Sequence, residues 1–198
     1  MTSEESQQTE QQRESMVQEL AISNIKSPML FSQYKSNVTL DPKGIVALND
    51  NTSASIYYNH CRITSIISSY QEAVGDRQDQ QQQNTFTLED YKCLNDKSEW
   101  KLFASFALNI NCLLDGMNVP GANDPTVDIV QDRLATQSIY EFINLFVREY
   151  SRYYTRKRVL RNKLDKSVIV RIEMHKVLSS TLTTCMALIG FQPSFSRM

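Results

Sequence analysis

Arg148-Glu-Tyr-Ser-Arg-Tyr-Tyr-Thr-Arg-Lys-Arg-Val-Leu160 alternates aromatic and basic residues, and its reading decides the fold. Arg148, Arg152 and Arg156 recur every fourth residue, so on a helix they share one face. Ile139, Ile143, Phe146, Tyr150 and Tyr153 form a different stripe, which points to a core. The spacing predicts a helix that is buried on one side and strongly positive on the other, with tyrosines at the seam. Positive charge attracts phosphates, and tyrosine rings stack unpaired bases, so the pattern suits a nucleic-acid contact. An amphipathic helix with a solvated arginine face gives the same pattern.

Working outward, the next helices follow from the same periodicity. Asn49 to Ser53 offers several N-cap residues for a helix running to about Val74, with Ile56, His60, Ile63, Ile67 and Tyr70 as its buried stripe. Tyr58 and Arg62 lie four apart on another face. Leu88 to Leu94 and Trp100 to Leu114 read as helices. The long basic helix begins near Val127 or Leu134, ends at about Tyr154 or extends towards Leu160, and is broken by Asn162 to Asp165. A last helix, Ser167 to Gly190, carries Val168, Ile172, His175, Leu178, Leu182, Met186 and Ile189. Gly190 stands where a left-handed C-cap belongs, and Pro193 forbids continuation. No alternating strand pattern competes, so the fold class is all-α, an antiparallel helix bundle.

Elsewhere the chain reads as connection or tail. Residues 1–25 form an acidic, glutamine-rich tail, expected to be disordered through residue 15, with a short helix from Met16 to Ile25. The helical domain then spans 26–198. Asp41-Pro-Lys-Gly44 is a turn signature, followed by a short apolar run from Ile45 to Leu48, and Gly121 to Pro125 is a loop. Residues 75–90 hold a low-complexity, variable loop with a run of glutamines.

Charge and composition narrow the function. The net charge of −1 hides an asymmetry: residues 1–99 carry 8 Lys/Arg against 14 Asp/Glu, and residues 131–198 carry 12 against 5. That split implies an anionic partner for the C-terminal half. The competing explanation is internal, with the acidic half docking on the basic one. Cys61, Cys93, Cys112 and Cys185 are too scattered for a disulfide framework or a zinc site and read as reduced thiols of a soluble, cytoplasmic protein. No apolar run approaches the ~18–20 residues of a membrane span. The chain has no phosphate-binding glycine loop, no histidine pair at metal spacing and no nucleophile elbow, so no metal, cofactor or catalytic residue is assigned. His60 and Cys61 are adjacent and point about 100° apart on a helix, a poor nucleophile–base pair. His60 and His175 sit on apolar stripes and are assigned to structure.

Several segments resemble the DALR anticodon-binding domain of arginyl-tRNA synthetases. Asn51-Thr-Ser-Ala-Ser-Ile-Tyr-Tyr-Asn-His-Cys-Arg-Ile-Thr-Ser-Ile-Ile67 resembles the helix that opens that domain, matching at Thr52, Tyr58, His60, Arg62, Ile63, Ser65 and Ile66. Arg133-Leu-Ala135 with Tyr140-Glu141 is similar to the family's Arg-Leu-Ala…Tyr-Glu helix. Tyr150-Ser-Arg-Tyr-Tyr154 with Arg158-Val-Leu160 is similar to its Phe-x-x-Phe-Tyr…Arg-Val-Leu segment. Leu182, Ala187-Leu-Ile-Gly190 and a closing Met198 resemble its final helix and terminal methionine. The four segments run in the family's order over residues 45–198. Ser53-Ala54 replaces the family's Gly-Pro lead-in, and Arg152 interrupts the second aromatic pair, which makes this helix more basic.

The resemblance implies a bundle of the DALR type and, as ligand, the anticodon arm of arginine tRNA. The synthetase's catalytic domain and its two signature motifs are not in the sequence, so the chain is expected to be non-catalytic. It then resembles the stand-alone DALR proteins, which assist a tRNA methyltransferase in making 3-methylcytidine. Those proteins carry a synthetase-like N-terminal region that this sequence lacks, so a truncated isoform stays open. On this reading Arg148, Arg152, Arg156 and Arg158 contact the RNA backbone, Tyr154 stacks a base, and Tyr58 with Arg62 forms a second contact pair. Met198 is carried over as a contact because the family's terminal residue lies near the anticodon. A surface cation–π pair between Arg62 and Tyr58 is the plain alternative for those two. The expected partners are arginine tRNA and a methyltransferase; the alternatives are a protein–protein module derived from such a domain, or a fragment of a synthetase-like protein.

Overall fold

Helical periodicity continues almost without interruption through the computed structural model, which describes residues 3–32, 37–38, 52–75, 87–115, 125–160 and 166–192. The elements are α1 (Ser3–Phe31), α2 (Ser53–Gly75), α3 (Leu88–Tyr91), α4 (Lys97–Leu102), a π-helical turn (Phe103–Leu108), α5 (Asn109–Asp115), α6 (Pro125–Arg156) and α7 (Lys166–Leu188). The described residues contain no strand, and the architecture is an all-α helical bundle. The Asp41–Gly44 turn, the Ile45–Leu48 run, the glutamine run and Asn162–Asp165 lie outside the described residues.

α7 is the central helix, touched by α2, α3, α6 and the π turn. It buries Val168, Ile172, Leu178, Leu182, Cys185 and Met186. α6 presents Ile139, Tyr140, Ile143, Phe146, Val147, Tyr150 and Tyr153, and α2 contributes Ile56, Tyr57, Ile63 and Ile66. Each such side chain fully removed from water contributes about 1.5–3 kcal/mol. The rings pack edge-on or offset, with Phe106 at 5.1 Å from Phe146 and Phe146 stacked at 5.8 Å on Tyr150.

The bundle's ends follow from local chemistry. α7 closes in a Schellman motif: Gly190 has φ +71°, its N–H donates to the Ala187 carbonyl at 3.0 Å, and the Phe191 N–H donates to Met186 at 2.8 Å. Phe191 then drops into the core. α4 begins at a capping box in which Asp96 accepts from the Ser98 N–H at 2.9 Å and Glu99 accepts from the Asp96 N–H at 3.3 Å.

Three sequence expectations change. α1 is one helix from Ser3 to Phe31, not a disordered tail with a short helix, because glutamate and glutamine are good helix formers and its second half is docked. Glu19 accepts from the Tyr57 hydroxyl at 2.8 Å and the Gln192 N–H at 3.1 Å, Lys26 donates to the Gly190 carbonyl at 2.9 Å, and Ser23 and Ser27 are buried. The helical domain therefore begins before residue 26. The helix expected over Leu88–Leu94 is a single α-turn, because the Lys92, Cys93 and Leu94 N–H groups donate only three residues back, to Glu89, Asp90 and Tyr91, at 3.2, 3.4 and 3.0 Å; the Cys93 and Leu94 carbonyls left free accept from Arg171 and from the Trp100 indole. The Trp100–Leu114 helix starts earlier, at Lys97, and passes through the π turn.

Candidate nucleic-acid interface

α2 and α6 lie side by side, pinned by the Ser151 hydroxyl, which donates to the Asn59 side-chain oxygen at 3.0 Å. That pairing brings Tyr58 and Arg62 of α2 up to Tyr154 of α6. The Arg62 guanidinium carbon lies 4.3 Å from the Tyr58 ring centroid and 4.1 Å from that of Tyr154. The guanidinium is thus held between two aromatic faces, and it also donates to the Tyr58 hydroxyl. Cation–π contacts with both rings fix its plane and leave an N–H edge for a further acceptor.

This clamp stands at the mouth of an open cleft of about 370 Å³. Arg62, Ser65 and Ser69 line one wall at helical spacing, and Cys61, Ile66 and Leu160 supply apolar surface. None of the lining side chains is acidic. Burial pushes the Cys61 thiol up, so it is a neutral wall atom, not a nucleophile. Below the clamp Tyr150 and Tyr153 are fully buried, as their stripe predicts. Burial raises both phenols far above their ordinary value, keeping them neutral.

The arginine row takes another direction. At 100° per residue Arg152 and Tyr154 are about 200° apart around α6, so Tyr154 faces α2 and Arg152 faces α4. Arg152 donates to Glu149 at 3.0 Å, and Lys101 of α4 holds the other oxygen of the same carboxylate at 2.8 Å. The Lys101 ammonium keeps Glu149 below the usual carboxylate range, with Arg152 and Arg148 adding to it. Arg148, Arg156 and Arg158 are exposed and form no ion pair with a described residue. The candidate site therefore divides: Tyr58, Arg62 and Tyr154 come together, whereas Arg148, Arg152 and Arg156 run along the outer ridge of α6. Arg158 follows just past the helix end, and Met198 lies outside the described residues.

Part of the charge asymmetry is resolved internally. Asp90 pairs with Lys166, Asp96 with Lys157 at 3.9 Å, and Glu99 with Arg171 at 2.6 Å. The last pair is wholly buried. Around it the Tyr153 hydroxyl donates to Glu99 at 3.4 Å and Arg171 donates to Ser167 at 3.0 Å. The His175 Nδ1–H donates to the Arg171 carbonyl at 2.6 Å. Desolvation pushes His175 down to about 4, so the imidazole is neutral in the core. His60, hydrogen-bonded through Nε2 to Thr183 at 3.1 Å, is likewise a packing residue.

Sequence reasoning missed Ser65, Ser69 and Leu160 as parts of this cleft. The serines were findable, since 58, 62, 65 and 69 follow one another along a single helix face. Leu160 was not, because its place depends on how the chain leaves α6.

Among the described residues no cluster of histidine, cysteine and carboxylate could hold a metal, and no helix is long and apolar enough to cross a membrane. No protein-family model matches the chain, and neither the curated proteins nor the solved structures contain a match.

Proposed function

We propose that this chain is a non-catalytic tRNA-binding protein that takes the anticodon arm of arginine tRNA and presents it to a tRNA 3-methylcytidine methyltransferase. The observation that carries the reading is the Tyr58–Arg62–Tyr154 clamp at the edge of a cleft without acidic lining. Its three members include two segments of the resemblance to DALR domains, which lie 92 positions apart between Arg62 and Tyr154. Tyr58 is 48 % exposed and Tyr154, which also touches the Tyr150 ring, 38 %, so an unpaired base stacks on Tyr58 first, a contact worth about 1–3 kcal/mol. Arg62 offers its N–H edge to a phosphate or base edge. Arg148, Arg156 and Arg158 hold flanking phosphates and position the loop without reading its sequence.

The ion pairs favour a second reading. Arg152, Lys157, Lys166 and Arg171 already have carboxylate partners, so the free positive charge is smaller than the sequence implies. The remaining basic ridge then serves a protein partner. A filter-binding titration of an arginine-tRNA anticodon stem–loop separates the two. On the RNA reading Arg148, Arg156 and Arg158 changed together to Glu lose binding while the far-ultraviolet circular dichroism and melting are kept. Unchanged affinity in that folded variant rules the RNA reading out.

A further inference from the structure

The two faces of α1 differ in chemistry, and the apolar one points away from the bundle. Its docked side holds Glu19, Ser23 and Ser27. At 100° per residue Glu10, Glu14, Ala21 and Ile25 lie on the opposite side, and all four are exposed. Neither Glu10 nor Glu14 forms an ion pair with a described residue. Between Ser15 and Phe31 the only charged residues, Glu19 and Lys26, are turned to the bundle. The outward face of α1 is therefore acidic first and apolar after it.

The outer ridge of α6 has the reverse order. Leu145, Arg148, Arg152 and Arg156 share one exposed face, opposite the buried Ile143 and Tyr150. The partly buried Phe142 flanks Leu145 at its apolar end. Laid antiparallel, the two helices match position by position: Glu10 meets Arg156, Glu14 meets Arg152 and Ala21 meets Leu145. The match holds along its length because Glu10 to Ala21 and Leu145 to Arg156 are equal spans, each about 16.5 Å at the helical rise. In the same register the uncharged Gln18 falls on Arg148 and Ile25 reaches Phe142. A parallel alignment fails, since it sets Glu10 on Leu145, Glu14 on Glu149 and Ala21 on Arg156. α1 is one continuous helix docked through its other side, so its outward face cannot meet the ridge of its own chain.

We propose that the outward face of α1 docks antiparallel on the α6 ridge of a second copy of this chain. The exchange is reciprocal and gives a two-fold dimer with two identical contacts. Opposite charges set the partner and the direction, and the Ala21, Ile25, Leu145 and Phe142 side chains supply apolar burial. Arg152 takes Glu14 of the second copy while Lys101 continues to hold Glu149. The contacts are small, which places the dimer in the weak, micromolar class. A docked α1 covers Arg156 and lies across Arg148, so a second copy and an RNA compete for one ridge. That competition rests on the function proposed above; the dimer does not.

The test is sedimentation equilibrium of the whole chain over the micromolar range at low salt. A dimer is expected, loosening as salt passes about 0.15 M, where the screening length is about 8 Å. Glu10→Lys with Glu14→Lys lies on exposed turns and keeps the fold, as circular dichroism checks. That variant, and Arg152→Glu with Arg156→Glu, should each dimerise about tenfold more weakly or worse. Mixed in equal amounts they should re-form the dimer, because one contact of the mixed pair is Lys–Glu and the other is native. Ile25→Ser, which leaves every charge in place, weakens the dimer as well. A native chain that stays monomeric overturns the proposal. So does a dimer that neither α1 variant weakens, or a mixture that does not re-associate. Anticodon stem–loop added to the dimer should release monomer, and RNA bound to an intact dimer overturns the competition. If no RNA binds while the charge-swapped pair re-forms the dimer, the RNA reading fails and the dimer stands.

Discussion

Glu99→Gln tests the polar centre of the bundle. Glu99 has two duties on two oxygens: Oε2 accepts the Asp96 N–H at 3.3 Å and closes the capping box, while Oε1 takes the Arg171 Nε–H at 2.6 Å. Glutamine keeps an oxygen for the cap and removes the charge, so the loss of about 1 kcal/mol expected from a broken cap is avoided. What remains is Arg171, 5 % exposed, without its counter-charge. Leaving one member of a buried pair alone costs about 3–5 kcal/mol, a large share of the 5–15 kcal/mol that holds a typical domain. With a urea slope near 2 kcal/mol per molar, the midpoint drops by roughly 2 M. Replacing both partners by methionine removes the buried charges together and recovers stability to within about 1–2 kcal/mol of the native chain, the cap being the main residual loss. The assay is urea unfolding followed by circular dichroism for the native chain, Glu99→Gln, and the cycle of Glu99→Met, Arg171→Met and the double methionine variant. A loss under 1 kcal/mol for Glu99→Gln, or simple additivity in the cycle, would refute the buried pair as a coupled unit.

Further predictions address pH, the clamp and the first helix. His175 has a folded pKa of about 4 against 6.5 unfolded; a depressed base gives stability that is complete above pH 6.5 and lost as pH falls towards 4, by about 3 kcal/mol. His175→Phe should flatten the unfolding free energy across that window, and an unchanged slope would assign the acid sensitivity elsewhere. Arg62→Ala costs only about 1–2 kcal/mol of stability, since both cation–π contacts are partly exposed, but should weaken stem–loop binding at least tenfold; equal binding would reduce the clamp to a surface contact. Glu19→Ala removes the acceptor for Tyr57 and the Gln192 N–H, so the α1 amides should exchange with solvent faster than those of α7, and unaltered protection would show that the serine contacts alone dock α1.

The bundle was legible because two faces of different chemistry recur at one period. The stripes on α2, α6 and α7 needed only spacing, and Gly190 marked its own cap. The beginning of α4 was also written plainly, as Asp96-Lys-Ser-Glu99, and went unread because the aromatic residues after it dominated the pattern. α1 was harder. Its bundle-facing residues are mostly polar, Glu19, Ser23, Asn24 and Ser27, with Leu20 and Leu30 packed on the core at either end, whereas Ile22, Ile25 and Met29 are about half exposed, so apolar periodicity alone does not pick out the docked face. The site was legible by residue and not by arrangement. Tyr58, Arg62 and Tyr154 could be named from pattern and resemblance, but that Arg62 lies between the two rings depends on the distance between α2 and α6. The pairing of Arg152 with Glu149, already claimed by Lys101, likewise depends on where α4 packs.

The central claim is recognition of a particular tRNA, and sequencing the RNA that the protein carries tests it most directly. The chain is captured from cell extract at moderate salt and its bound RNA is compared with total tRNA. The account predicts enrichment of arginine tRNAs, lost when Arg148, Arg156 and Arg158 are changed to Glu. Recovery of no tRNA, or of all tRNAs in their bulk proportions, would contradict it.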